Sequence, residues 1–166
     1  MKAIVCPKYG SPDVLELQEV DKPVVTDDRV LVRVKAASVN PLDRYMIRGP
    51  FIVRLTAGLL RPKRKIPGVD LAGVVEAVGR NVTQFQPGDE VFGTGPGSFA
   101  EYVCAREDRL VPKPAGITFE QAAAVPIAAI TALQGLRDRG RIRPGQKVLI
   151  NGASGGVGTF SLQIAK

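Results

Sequence analysis

Eight residues late in the chain have the composition to hold a phosphate: Asn151-Gly152-Ala153-Ser154-Gly155-Gly156-Val157-Gly158. They follow an apolar run, Lys147-Val148-Leu149-Ile150-Asn151, and lead into a stretch with Val157, Phe160, Ser161 and Ile164 at helical spacing. A strand, a glycine-rich turn and a helix start, in that order, make up a dinucleotide-binding fingerprint. Read as A-x-G-x-x-G, Ala153 makes the tight turn, Gly155 lets the backbone approach a pyrophosphate, and Gly158 lets the helix pack closely. The anion would rest on the free N–H groups at the positive end of the helix. Ala153, Ser154, Gly155, Gly156, Val157 and Gly158 are therefore the candidate cofactor-binding residues of this segment, with a purely structural turn as the competing reading.

The residue types that are missing narrow the chemistry further. The 166 residues contain no His and only two Cys, Cys6 and Cys104, far apart and in no CxxC pair. A His general base, a His-based triad and an imidazole zinc site are all excluded, and two thiols cannot form a four-thiolate cluster. Both cysteines read as small apolar core residues of a reducing compartment. Asp70 and Glu76 read as hydrogen-bond or ion-pair partners rather than metal ligands.

Lys and Arg outnumber Asp and Glu by 23 to 16, a net +7, most visibly in Arg61-Pro62-Lys63-Arg64-Lys65 and in Arg137, Arg139, Arg141 and Arg143. The three Tyr and six Phe are not interleaved with these runs, so a solvated loop and a basic helix end fit better than a nucleic-acid surface. Attraction of a cofactor phosphate to the Lys63 to Lys65 cluster is a lesser alternative. The apolar N-terminal run Ala3-Ile4-Val5-Cys6 is too short for a signal or a membrane span, which predicts a cytoplasmic protein without membrane contact. Asn81-Val82-Thr83 fits a glycosylation sequon but reads as an ordinary turn.

The elements that must position these residues divide into two textures. Residues 29–36 alternate, with Val30, Val32, Val34 and Ala36 on one face and Arg33 and Lys35 on the other, as a half-buried strand requires. Weaker strand patterns cover 2–6, 14–19, 69–78, 90–92, 99–104 and 110–111. Tyr9-Gly10-Ser11-Pro12, Gln86-Pro87-Gly88-Asp89 and Gly93-Thr94-Gly95-Pro96-Gly97 are turns between them. Short strands with dense turns predict a β-barrel or sandwich. Thr118-Phe119-Glu120-Gln121 then forms a capping box that opens an Ala-rich helix, Pro126 interrupts it, and a second helical run over 128–139 stops at Gly140. The apolar run at 147–151 reads as a strand buried on both faces of a parallel sheet. The domain boundary is expected near residue 117.

Several motifs occur in order along the whole chain: Met1-Lys2-Ala3-Ile4, Ala37-Ser38-Val39-Asn40-Pro41-Leu42-Asp43, Pro67-Gly68-Val69-Asp70-Leu71-Ala72-Gly73, Pro87-Gly88-Asp89-Glu90-Val91-Phe92-Gly93, Ser98-Phe99-Ala100-Glu101-Tyr102, Ala123-Ala124-Val125-Pro126 and the glycine-rich turn. Together they resemble the medium-chain dehydrogenase/reductase superfamily, in its zinc-free quinone oxidoreductase-like group. That resemblance implies a mixed β and α/β fold: a GroES-like β-barrel catalytic domain over 1–117, then the first, incomplete part of a Rossmann-type parallel-sheet domain over 118–166.

It also implies an NAD(P)H-dependent oxidoreductase that transfers hydride, without a metal, to a quinone or an activated alkene (enone). NADP(H) is expected ahead of NAD(H), with no zinc. The implied partners are a small-molecule quinone or enone and, for the full-length protein, a second copy in a homodimer. By resemblance Asn40 and Tyr45 lie beside the nicotinamide and Thr131 faces it. Tyr45 is the one catalytic candidate, as a partner for the oxygen that gains negative charge. Asn40 also reads as a plain turn residue before Pro41, Thr131 as a back-bonded core residue, and Tyr45 as a packing aromatic. The alternatives are an alcohol dehydrogenase or enoyl reductase of the same superfamily, or a non-catalytic nucleotide-binding protein. An ordinary doubly wound domain needs about 100 more residues, so the 166-residue chain is expected to be inactive alone.

Overall fold

The computed structural model describes residues 1–166, which fall into two compact units, Met1–Ala124 and Val125–Lys166. In the first, β1 (Lys2–Val5) pairs antiparallel with β2 (Glu16–Glu19). A five-stranded sheet holds β3 (Arg29–Ala37), β4 (Asp70–Val78), β5 (Glu90–Thr94), β6 (Tyr102–Arg106) and β7 (Leu110–Pro112) in the order β6-β3-β4-β5-β7, with every pairing antiparallel. An isolated bridge between Ala3 and Ala100 ties the N-terminal strand to the segment before β6.

Alternation decides which side chains enter the core. Val30 and Val32 of β3, Leu71 and Val75 of β4, and Val91 of β5 form one apolar cluster, while Arg33 and Lys35 point to solvent. The opposite face of the sheet is also covered. Ala72 and Phe92 pack with Ala122 and Ala123 of α3 (Phe119–Ala123), and the small alanines let that helix approach closely. The Thr118 capping box forms as the sequence predicts: Gln121 N–H donates to Thr118 Oγ1 at 3.2 Å and Thr118 N–H donates to Gln121 Oε1 at 2.9 Å.

Two helices of this unit have no counterpart among the sequence expectations, α1 (Pro41–Arg48) and α2 (Phe51–Ala57). Helix α1 starts at Asn40 with Pro at its first position, and it ends at Gly49 in the left-handed region at φ 58°. A Cβ at Gly49 would lie 2.1 Å from the Tyr9 ring, so both the turn and the contact require glycine.

In the second unit, α4 (Pro126–Leu133) continues into a wider π-helical stretch, Gln134–Arg139, that stops at Gly140. Helix α5 (Gly156–Ala165) follows the glycine-rich turn. Residues 147–151 form no strand, and Leu149 is 96% exposed. The expected parallel Rossmann sheet is therefore not seen. A strand exists only through ladder bonds to a neighbour, and residues 125–166 hold no other strand to pair with this apolar run. The apolar face of α5 also differs from expectation: Gly158 and Ser161 are buried, whereas Val157 and Ile164 are exposed.

Candidate functional site

A polar node forms where β3 ends and α1 begins. Ala37 pairs with Leu71, so the residues just after β3 meet Asp70, the first residue of β4. Ser38 Oγ donates to Asp70 Oδ2 at 2.9 Å. Asn40 Nδ2 donates to Ser38 Oγ at 3.1 Å and to Asp70 Oδ2 at 3.0 Å. The Asn40 backbone N–H donates to Asp43 Oδ2 at 2.8 Å, half of a capping box that opens α1. Asn40 is thus a helix cap whose amide is fixed by Ser38, two positions before it, and by Asp70, 30 positions after it.

Two carboxylates lie at the bottom of the node. Asp70 is 0% exposed and Asp43 2% exposed. Burial pushes the Asp43 carboxyl above the usual carboxylate range; the Asn40 N–H pulls it back and the negative charge of Asp70 pushes it up again. Glu76, further along β4, is paired at the surface with Lys22, which holds its carboxyl low. Asp70 and Glu76 thus act as hydrogen-bond and ion-pair partners, as the sequence reading expects.

Tyr45 lies on α1 with its side chain 48% exposed and its hydroxyl in no hydrogen bond, while its carbonyl accepts from Gly49 N–H at 3.1 Å. A cleft of about 710 Å³ opens against other residues of α1, with Asp43, Met46, Ile47, Thr56 and Val69 among its walls. Neither Asn40 nor Tyr45 lines it. Cys6 is buried and Cys104 half-buried; both are free, and burial pushes both thiols up, away from reactive thiolate character. No group of three or more His, Cys, Asp or Glu side chains is arranged to hold a metal ion.

The second unit holds the glycine-rich turn. Gly155 N–H donates to Gly152 O at 3.0 Å and Thr159 N–H to Gly155 O at 2.9 Å, so the turn closes on itself as α5 begins. A Cβ on Gly158 would stand 2.2 Å from Gly152 O and 2.7 Å from Ala153 Cα, so the helix rests directly on the backbone of its own turn. At Gly156 a Cβ would meet only Ala128 Cβ, at 3.8 Å, and at Gly155 only Gly152 O, at 3.4 Å. Ser154, Gly155, Gly156 and Val157 are exposed. The first turn of α5 therefore offers bare backbone N–H groups to an anion. Thr131, on α4, is exposed, and its hydroxyl donates back to Ile127 O at 2.6 Å, the bond that the back-bonded reading describes.

The sequence reading did not assign Ser38, Asp43 and Asp70 to the site. The Asn40-Pro41-Leu42-Asp43 spacing carries a capping signal that would find Asp43. Asp70 shows only as an acid inside an apolar run, and Ser38 gives no signal of its own.

The family described as "Alcohol dehydrogenase GroES-like domain" matches residues 26–115. The quinone oxidoreductase of Sus scrofa is 41% identical over 169 residues, covering 100% of this chain and 50% of that protein. The chloroplastic NADPH-dependent alkenal/one oxidoreductase of Arabidopsis thaliana is 40% identical over 177 residues, with 100% and 44% covered. The solved quinone oxidoreductase from Coxiella burnetii superposes with a TM-score of 0.90 at 36% identity, covering 99% of this chain and 53% of that one. The chain spans about half the length of the curated relatives it matches.

Proposed function

Because this chain belongs to the medium-chain dehydrogenase/reductase superfamily, quinone oxidoreductase-like, and carries its GroES-like domain, we propose that it serves an NAD(P)H-dependent reductase of quinones or activated alkenes. The observation that carries this reading is the turn at 152–158. Gly158 is packed against backbone that no side chain could replace, and Gly155 and Gly156 stay bare and open beside the N-terminus of α5. That cradle fits a dinucleotide pyrophosphate. Residues 152–158 are then the phosphate turn of a Rossmann-type domain.

When bound, the reduced nicotinamide supplies a hydride to the acceptor. Ala153, Ser154, Gly155, Gly156, Val157 and Gly158 would form the pyrophosphate cradle, with the exposed first-turn N–H groups of Gly156 and Val157 donating to the anion while the Gly155 N–H closes the turn on Gly152 O. Asn40 contacts the nicotinamide, with Thr131 as a further contact from α4. Tyr45, whose hydroxyl is not engaged by the protein, is free to donate to the oxygen that gains negative charge. No imidazole is available, and the node's two carboxylates accept bonds from neighbours, so the chain orients and stabilises rather than relaying protons. NADP(H) is the favoured cofactor, and no zinc is required.

The test is loss of NADPH absorbance by the full-length protein with a quinone and with an enone. Turnover with at least one class is expected. No oxidation with either, or stoichiometric zinc together with alcohol oxidation, refutes the reading. Tyr45→Phe is expected to lower turnover while leaving NADPH affinity nearly unchanged; unaltered steady-state kinetics would remove the Tyr45 role.

A further inference from the structure

We propose that Asp70 is a positioning residue for the nicotinamide end of the site: it fixes which way the Asn40 amide faces and sets a buried negative charge behind it. The inference rests on the reading of Asn40 as a nicotinamide contact.

The orientation follows from donor and acceptor logic. Asp70 Oδ2 accepts from Ser38 Oγ at 2.9 Å, which commits the only proton of that hydroxyl. Toward Asn40, Ser38 Oγ is then an acceptor. Asn40 meets two acceptors, Ser38 Oγ at 3.1 Å and Asp70 Oδ2 at 3.0 Å, and must present its NH2 end to both. The amide oxygen is forced to the other side. An uncharged acid or an amide at position 70 would lift that constraint, because the Ser38 proton would be free to turn toward Asn40.

The charge has a second consequence. Asp70 is 0% exposed, so water does not screen it as it screens a surface acid. Its field is felt within the node, where it raises the proton affinity of the Asp43 carboxyl. An oxidised nicotinamide ring carries a positive charge that the reduced ring lacks. A fixed negative charge one hydrogen bond behind Asn40 therefore stabilises the oxidised cofactor, and the charge that develops as hydride leaves, more than the reduced one.

The experiment measures NADP+ and NADPH affinity by calorimetry in the full-length protein and in its Asp70→Asn and Glu76→Gln variants. Asp70→Asn is expected to weaken NADP+ roughly tenfold more than NADPH. Glu76→Gln removes an exposed charge from the same strand and leaves the ratio unchanged. Equal loss of both cofactor forms in Asp70→Asn overturns the proposal, since a merely structural role lowers both alike. The Asn40 side-chain amide resonances give a readout that needs no cofactor: their shifts should move in Asp70→Asn and, if that variant does not fold, in Ser38→Ala. Unmoved resonances overturn the orientation claim. A wild-type protein that binds neither cofactor form refutes the reductase reading, while the resonances still decide whether Asp70 orients Asn40.

Discussion

Gly158 and Gly156 stand two positions apart in α5, and substituting each by Ala is expected to have opposite effects. At Gly158 the new methyl would lie 2.2 Å from Gly152 O, 2.7 Å from Ala153 Cα and 2.8 Å from Ala153 C. All three are backbone atoms of a closed turn, so no side chain can swing aside. Restoring ordinary contact distance requires the helix or the turn to retreat by about 1 Å, and overpacking of that kind costs about 1–3 kcal/mol. The helix-propensity gain from Gly to Ala returns at most about 1 kcal/mol. An overlap as deep as 2.2 Å against backbone belongs at the upper end of that range, so after the propensity gain Gly158→Ala should destabilise the second unit by about 2 kcal/mol. At Gly156 the methyl meets only Ala128 Cβ, at 3.8 Å, which is ordinary contact. Gly156→Ala should leave stability equal or slightly higher, yet its methyl stands among the open N–H groups of the first turn and should weaken NADPH binding in the full-length protein. Urea unfolding followed by circular dichroism, paired with cofactor titration, separates the two. A Gly158→Ala protein as stable as the parent, or a Gly156→Ala protein that loses as much, would refute the close-approach argument.

Other outcomes are as specific. Asp43 titrates from a folded value above its unfolded one, so its neutral form favours the fold and that contribution fades as pH rises from about 4 through the raised value. The stability of Asp43→Asn relative to the parent should then increase with pH over that window in urea titrations; a constant or falling difference contradicts the assignment. The Lys113 side chain, 6% exposed, donates to Ile117 O at 2.8 Å and pairs with Glu90 at 2.9 Å. Lys113→Met should cost about 1–3 kcal/mol in urea unfolding, whereas Arg80→Ala, which breaks an exposed pair with Asp27, should change stability by less than about 1 kcal/mol. Leu71→Ala, at a fully buried position of β4, should cost about 2–5 kcal/mol, and a smaller loss would mean that the sheet core collapses around the gap.

What the sequence made legible was the local pattern. The turn at Gln86-Pro87-Gly88-Asp89 and the Thr118 capping box depend on neighbours within a few residues, and both are present. The alternation of β3 holds for Val30, Val32 and Val34 but breaks at a register shift that sends Ala36 to the opposite face. Of the turn expected at Gly93 to Gly97, the first two residues belong to β5. Helices α1 and α2 were not read, although Asn40, Pro41, Asp43 and Gly49 supply a cap, a first-position proline, a third-position acid and a left-handed stop. The run at 147–151 is the opposite case: its composition suits a buried strand, but a strand also needs a partner, which composition does not provide. The node joining Ser38, Asn40 and Asp70 spans 30 to 32 positions and depends on the β3–β4 register, so no short-range pattern could show it.

The absence of histidine has a structural counterpart in the node. The acids beside Asn40 are engaged by the protein itself: Asp43 caps α1 and Asp70 accepts from both Ser38 and Asn40. A site built this way has rigid donors and a fixed charge, and this chain brings no imidazole to it. Such an arrangement gains most when the reactive atoms come from a bound cofactor, whose chemistry needs orientation and electrostatic support rather than a proton relay. The Tyr45 hydroxyl stands apart from the node in being unengaged, which is why turnover, rather than cofactor affinity, is where its removal should be felt.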